Sequence, residues 1–236
     1  MTYSTHIIGA GLIGTSAGIG LRAAGWDVSI DDHDPRAAAL ARSLGAGSAL
    51  DGEPALVIVA VPPGVASEVV VRALGQWPDA TVTDVASVKG PIADAASASG
   101  HSDRYVGSHP MAGREFSGGL AAQGDLFKAR PWVLCPQQAS ADAVMKVRAI
   151  AQALEGDVVE MDAHLHDAAV ARVSHAPQVA ASAVAAALGT LRADDVALAG
   201  QGLRDVTRIA DSDPGMWADI ARLNRAAVVE TIEHIM

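Results

Sequence analysis

Apolar residues in the first two thirds of the chain come in short runs, separated by longer stretches with helical periodicity. Residues 6–10, 27–30, 55–61, 81–85, 133–135 and 158–161 read as strands, and residues 12–24, 36–44, 65–74 and 139–154 as helices. The run at 55–61 is continuously apolar and stops at Pro62-Pro63, the pattern of a strand buried on both faces of a parallel sheet. This alternation predicts an α/β fold: a doubly wound, Rossmann-type domain with right-handed crossovers over residues 1–161.

Beyond residue 162 the strand signals vanish, and an all-helical domain is expected over residues 162–236, with segments near 162–191, 193–210 and 214–235. The last segment has a clear start, because Asp213 can cap it and Pro214 sits where its missing N–H is harmless. Met216, Trp217, Ile220, Leu223 and Val228 then form one apolar stripe. In so small a domain such a stripe packs inside the chain or against another subunit. There is no internal repeat and no low-complexity linker.

Composition narrows the function classes. The 236 residues suit one compact unit, or a nucleotide domain with a smaller partner. A net charge of −10 without any basic cluster argues against a nucleic-acid surface. Cys135 is the only cysteine, so an internal disulfide is impossible. The N-terminus carries no secretory pattern, and the alanine-rich stretch at 179–191 is too short to span a bilayer. A soluble, cytoplasmic protein is expected.

Gly9-Ala-Gly11-Leu12-Ile13-Gly14 follows a predicted strand and opens a predicted helix. In a dinucleotide fingerprint Gly9 permits the tight turn, Gly11 the approach of a pyrophosphate, and Gly14 close packing of helix on strand. The N-terminal helix dipole and unpaired N–H groups then face the phosphates. Leu12 and Ile13 in that first turn, with Val61 and Pro62 after the third strand, complete the expected cofactor set. Asp32 lies at the distance expected of a ribose-binding carboxylate, which also repels a 2′-phosphate and favours NAD over NADP. Asp31 is the adjacent alternative, and either carboxylate also suits a cap of the following turn.

Three further blocks look unlike ordinary structural sequence. The first is Asp84-Val-Ala-Ser87-Val-Lys89-Gly90; the second runs from Gly107-Ser-His109-Pro110 through Arg114 to Gly118. The third spans Gly202 to Trp217 and includes Arg204, Asp205 and Arg208. Between the last two lie His166-Asp167 and Ser174-His175-Ala-Pro177-Gln178. Together these blocks resemble the prephenate/arogenate dehydrogenase family of tyrosine biosynthesis, over nearly the whole chain. The Ser-His-Pro-Met-Ala-Gly and Arg-Asp-Val-Thr-Arg-Ile-Ala segments are far more specific than the glycine turn.

The resemblance implies an NAD-dependent oxidative decarboxylation, in which hydride passes to NAD, carbon dioxide leaves and the ring becomes a phenol. Hydride leaves the carbon bearing the 4-hydroxyl, so a base has to take the hydroxyl proton, a task suited to histidine. By resemblance that base is His109, on a loop made rigid by Pro110. Ser87 matches the family serine that orients the histidine and meets the nicotinamide, since a hydroxyl donates once and accepts twice. It equally suits a helix cap. Lys89 reads as a first-turn surface residue.

Arg208 matches the family arginine that holds a substrate carboxylate, where a guanidinium fork binds in bidentate fashion; Arg204 reads as a structural partner of Asp205 or a neighbour. Pro177 removes the bond to the Val173 carbonyl and is expected to kink its helix, turning Ser174, His175 or Gln178 towards the pocket. Gln178 departs from members that carry histidine there. Arg114 either adds a second positive contact or faces water, and Trp217 completes the implied substrate set.

His164 and His166 diverge on a helix and have no carboxylate cluster beside them, so no metal is expected. The implied substrate is prephenate, with arogenate or an amino-substituted prephenate as alternatives; they differ in ways that no position here resolves. A silent NAD-binding module is the reading from another class, and the complete Ser87, His109 and Arg208 set stands against it. The family further implies a homodimer through the helical domain. Because the chain ends at Met236, no regulatory domain and no tyrosine feedback through one is expected.

Overall fold

The computed structural model describes residues 2–112 and 118–235; Arg114, an expected substrate contact, lies outside the described residues. The chain forms two compact units, Met1–His166 and Asp167–Met236.

The first unit is built from β1 (Thr5–Ile8), α1 (Leu12–Ala23), β2 (Val28–Asp31), α2 (Pro35–Ser43), β3 (Leu56–Val59) and α3 (Pro63–Gln76). It continues with β4 (Thr81–Asp84), α4 (Gly90–Ala98), β5 (Tyr105–Pro110), β6 (Pro131–Cys135), α5 (Ala141–Ala153) and β7 (Asp157–Glu160). The strands form one seven-stranded sheet in the order β2-β1-β3-β4-β5-β6-β7. Every neighbouring pair is parallel except β5 with β6.

Successive residues of a strand point to opposite faces, and here both faces are covered. Ile7, Leu56 and Ile58 join one apolar cluster with Leu21 of α1 and Val147 and Ile150 of α5. Val57, Val59 and Val82 join another with Val70 and Leu74 of α3 and Ile92 of α4. Burial on both sides is why β3 is uniformly apolar rather than alternating.

One strand departs from expectation. After Tyr105 and Val106 the residues are glycine, serine, histidine and proline, a poor strand-forming run, and His109 beside Pro110 is expected on a loop. The segment instead forms β5, held by parallel pairing to β4 and antiparallel pairing to β6, with His109 opposite Val133. Pro110 is tolerated because it is the final residue of the strand.

The helix α6 (Ala163–Val170) carries the division between the units. The second unit then contains a π-helical turn (Ala171–His175), α7 (Ala176–Leu188), a short α8 (Ala193–Val196), α9 (Gln201–Arg208), α10 (Pro214–Leu223) and α11 (Arg225–Ile235). The effect expected of Pro177 takes the form of that π turn, which widens the helix just where a proline withholds its N–H. Asp213 caps α10, accepting from the Met216 N–H at 2.6 Å. The single helix expected over 214–235 is two helices, broken at Asn224, whose backbone sits at φ −106° and ψ 28°. Among the described residues no helix is long and apolar enough to cross a membrane.

Candidate active site

The glycine turn links β1 to α1. Gly9 has φ +113°, and a Cβ there would lie 2.3 Å from the Ala60 carbonyl oxygen, so only glycine fits. A Cβ on Gly14 would come within 2.0 Å of the Gly9 oxygen, which lets α1 start tight against the turn. Gly11 is different: a Cβ there meets nothing within 4 Å, so the space above it is open. Gly11 is also the N-cap of α1, with no side-chain cap and no acidic residue in the first turn. The N–H groups at Leu12, Ile13 and Gly14 therefore face outward with the positive end of the dipole. An open, uncapped and acid-free turn fits a pyrophosphate.

The neighbouring carboxylate completes this arrangement. Asp32 follows β2 and its Oδ2 accepts from the Ala10 N–H at 2.7 Å, which ties it to the glycine turn. Its Oδ1 accepts from Asp34 N at 2.9 Å and lies 2.9 Å from Nδ1 of His33, so the acceptor capacity left for a ribose hydroxyl is on Oδ2. Asp31 is engaged differently, with its Oδ1 3.2 Å from an Arg42 nitrogen. Val61 and Pro62 follow β3 on the same carboxyl edge of the sheet, where ligands of open α/β folds bind.

Ser87 and His109 stand farther along that edge. β4 and β5 are adjacent and in register at Asp84 and Gly107, so the residues just beyond them emerge side by side. Ser87 is half-buried in the β4–α4 connection. It does not cap α4, whose N-cap position belongs to Lys89. His109 is half-buried, and its Nδ1 lies 2.9 Å from Nε2 of His166, with the two rings edge to face at 5.1 Å. His166 is fully buried on α6. Asp162 caps that helix, accepting from the N–H groups of Leu165 at 3.1 Å and His164 at 2.8 Å. The Leu165 bond is foremost in holding the Asp162 carboxyl below the ordinary carboxylate range. His164, by contrast, is exposed and 3.6 Å from Asp94. The two histidines diverge, and among the described residues no group of three or more histidine, cysteine, aspartate or glutamate side chains is placed to hold a metal.

His166 is the residue that motif reading passed over. The sequence places it among the family-like segments without a role of its own, and no local pattern announces a partner 57 residues away.

Lys89 needs correction. It is fully buried rather than exposed, and its Nζ pairs with Oδ1 of the fully buried Asp84 while donating to the Ser108 carbonyl at 2.8 Å. Tyr105 donates to the other Asp84 oxygen at 2.7 Å, and the Ala86 N–H reaches Oδ1 at 2.9 Å. Burying a charge is tolerable only with such pairing. The outcome is a polar knot beneath the Ser87 connection that also grips the residue preceding His109.

The second unit gathers another set of expected residues. His175 and Gln178 are buried and Ser174 is half-buried, all at the π turn and the start of α7. Trp217 of α10 lies edge to face with His175, ring centroids 5.9 Å apart. The Trp217 indole N–H is buried without a hydrogen-bond partner among the described residues. Arg208 is exposed at the end of α9. Arg204 donates to the Ala199 carbonyl at 3.3 Å, while Asp205 accepts from Gln201 at 2.8 Å, so of the two expected partners it is a neighbour and not Asp205 that holds this arginine.

Comparison with known proteins bears on both units. Residues 17–160 match the family model described as prephenate dehydrogenase, nucleotide-binding domain, and residues 162–236 match prephenate dehydrogenase, dimerization domain. The chain is 35% identical over 234 residues to the probable prephenate dehydrogenase NovF of Streptomyces niveus, covering 97% of this chain and 65% of that protein. The crystal structure of prephenate dehydrogenase from A. aeolicus in complex with hydroxyphenyl propionate and NAD+ aligns with a TM-score of 0.90 at 29% identity, over 100% of this chain and 87% of that one. Synechocystis arogenate dehydrogenase aligns with a TM-score of 0.83 at 25% identity, over 98% of this chain and 87% of that one.

Proposed function

Because this chain belongs to the prephenate dehydrogenase family, we propose that it converts prephenate to 4-hydroxyphenylpyruvate and carbon dioxide by NAD-dependent oxidative decarboxylation. The observation that carries the reading is the His109–His166 hydrogen bond at the carboxyl edge of the sheet, along from an open dinucleotide turn. NAD, held over Gly11 with its ribose at Asp32, supplies the hydride acceptor when bound. The chain's own residues handle the proton and the charge.

With His109 donating from Nδ1 to Nε2 of His166, its own Nε2 keeps a lone pair and serves as the base for the 4-hydroxyl proton. Once protonated, the His109 ring holds its Nδ1 proton against a buried acceptor, so the new charge is shared as it forms. Ser87 orients this histidine. Arg208 binds a substrate carboxylate, with Ser174, His175, Gln178, Arg114 and Trp217 as further substrate contacts. The helical unit pairs with a second copy, in keeping with the description of its family model. A cytoplasmic location belongs to the same reading.

NADH formation with prephenate and with arogenate, each run with NAD and with NADP, tests the proposal. Turnover highest with prephenate and NAD is expected. The likeness to an arogenate dehydrogenase makes the second substrate the informative rival, and higher turnover with it reverses the assignment. NAD binding with no turnover of either substrate identifies a silent module, and a preference for NADP removes Asp32 from the ribose.

Arg208→Ala is expected to weaken substrate binding by about 1.5–3 kcal/mol, the loss of a charge-assisted bond. The change should appear in KM with little change in kcat. An unaltered KM would assign Arg208 to structure.

A further inference from the structure

We infer that Asn224 is a positioning residue that fixes His175 as its Nε2–H tautomer. Asn224 sits at the break between α10 and α11 and is 6% exposed. Its Nδ2 donates to the Asp167 carbonyl at 2.8 Å and lies 3.1 Å from Nδ1 of His175. A carbonyl can only accept, so the amide has to present its nitrogen there and not its oxygen. That settles the orientation of a group whose two ends otherwise look alike. The NH2 group has two hydrogens. One serves Asp167, and the other is directed at His175 Nδ1, which therefore offers a lone pair. In the neutral ring the proton then resides on Nε2.

The reason for breaking the helix follows. A buried amide that bridges a main-chain carbonyl and a ring nitrogen satisfies three polar groups at once, each costly to leave unpaired. It also decides what His175 offers a ligand. A ring held as Nε2–H is a hydrogen-bond donor at that atom and suits a carboxylate or keto oxygen. It has no lone pair there for an ammonium group. Resting on the reading of His175 as a substrate contact, Asn224 thereby biases this subsite towards a keto acid over the corresponding amino acid.

Long-range 1H–15N correlation spectra of uniformly 15N-labelled protein test this directly, with the His175 signals assigned by difference against His175→Gln. The wild-type spectrum is expected to show the Nε2–H pattern at His175. A pattern with the proton on Nδ1 overturns the inference without recourse to any variant. Asn224→Asp places an acceptor opposite Nδ1 and is expected to switch the ring to Nδ1–H, while Asn224→Ala should give a tautomer mixture. An unchanged Nε2–H pattern in a folded variant would also overturn it. The spectra do not depend on turnover, so failure of the prephenate assignment and failure of this inference are separable. If both hold, Asn224→Ala raises the KM for prephenate by about tenfold and leaves the NAD dissociation constant unchanged.

Discussion

Replacing His109 by Asn is expected to lower turnover by about 10²–10⁴-fold, the range of a lost general base, with NAD affinity close to wild type. Asparagine approximates the size and polarity of the ring but has no basic nitrogen, so the hydroxyl proton of the substrate loses its acceptor. The glycine turn that would hold the cofactor lies on β1 and α1 and makes no use of this side chain. The loss should therefore fall on kcat and kcat/KM together, the signature of an interaction made in the transition state. The pH profile gives a second, independent reading. A histidine base imposes an acid limb on kcat/KM, and that limb should vanish in the variant. Replacement of His166 by Asn should cost less, because it removes the buried partner of Nδ1 and leaves the base itself. Near-normal turnover in the His109 variant would remove this residue from proton transfer.

Lys89→Met should destabilise the fold by about 3–5 kcal/mol, the cost of leaving one member of a buried pair without its partner. Methionine fills a similar volume, so little of the effect comes from packing. Asp84 would keep its bonds from Tyr105 and the Ala86 N–H but lose the cation against Oδ1, and the Ser108 carbonyl would lose a donor. Urea denaturation of both proteins measures the difference. A loss below about 1 kcal/mol would place the interaction with weak, solvated ion pairs. The double variant Asp84→Asn with Lys89→Met has no buried charge and should recover much of the stability. Because the knot lies under Ser87 and next to His109, the double variant should still turn over more slowly than wild type.

These two residues show where local pattern is informative and where it is silent. His109 stands out in the sequence as a candidate because its neighbours form a distinctive block, but its place in a strand does not. Gly107, Ser108 and Pro110 argue against a strand, and only pairing with β4 on one side and β6 on the other makes one. Lys89 is the opposite case, ordinary in its local sequence and fully buried in the fold. A lysine at the start of a helix is ordinarily solvated, and nothing within five residues reveals that Asp84 is sealed beneath the sheet edge. The same holds for Asn224, which interrupts an otherwise regular apolar stripe to serve His175, 49 residues earlier.

The sequence by itself determined the doubly wound order, the all-helical C-terminal segment, the glycine turn and the caps. Each is encoded within a few residues: hydrophobic period sets strand or helix, a positive φ demands Gly9, and a short carboxylate caps the next turn. Tertiary structure alone decided β5, the His109–His166 pair, the Asp84–Lys89 knot and the tautomer imposed by Asn224. These depend on which polar groups are brought together away from water, where a buried donor must find an acceptor, and that choice is made by folding rather than by neighbours in the chain.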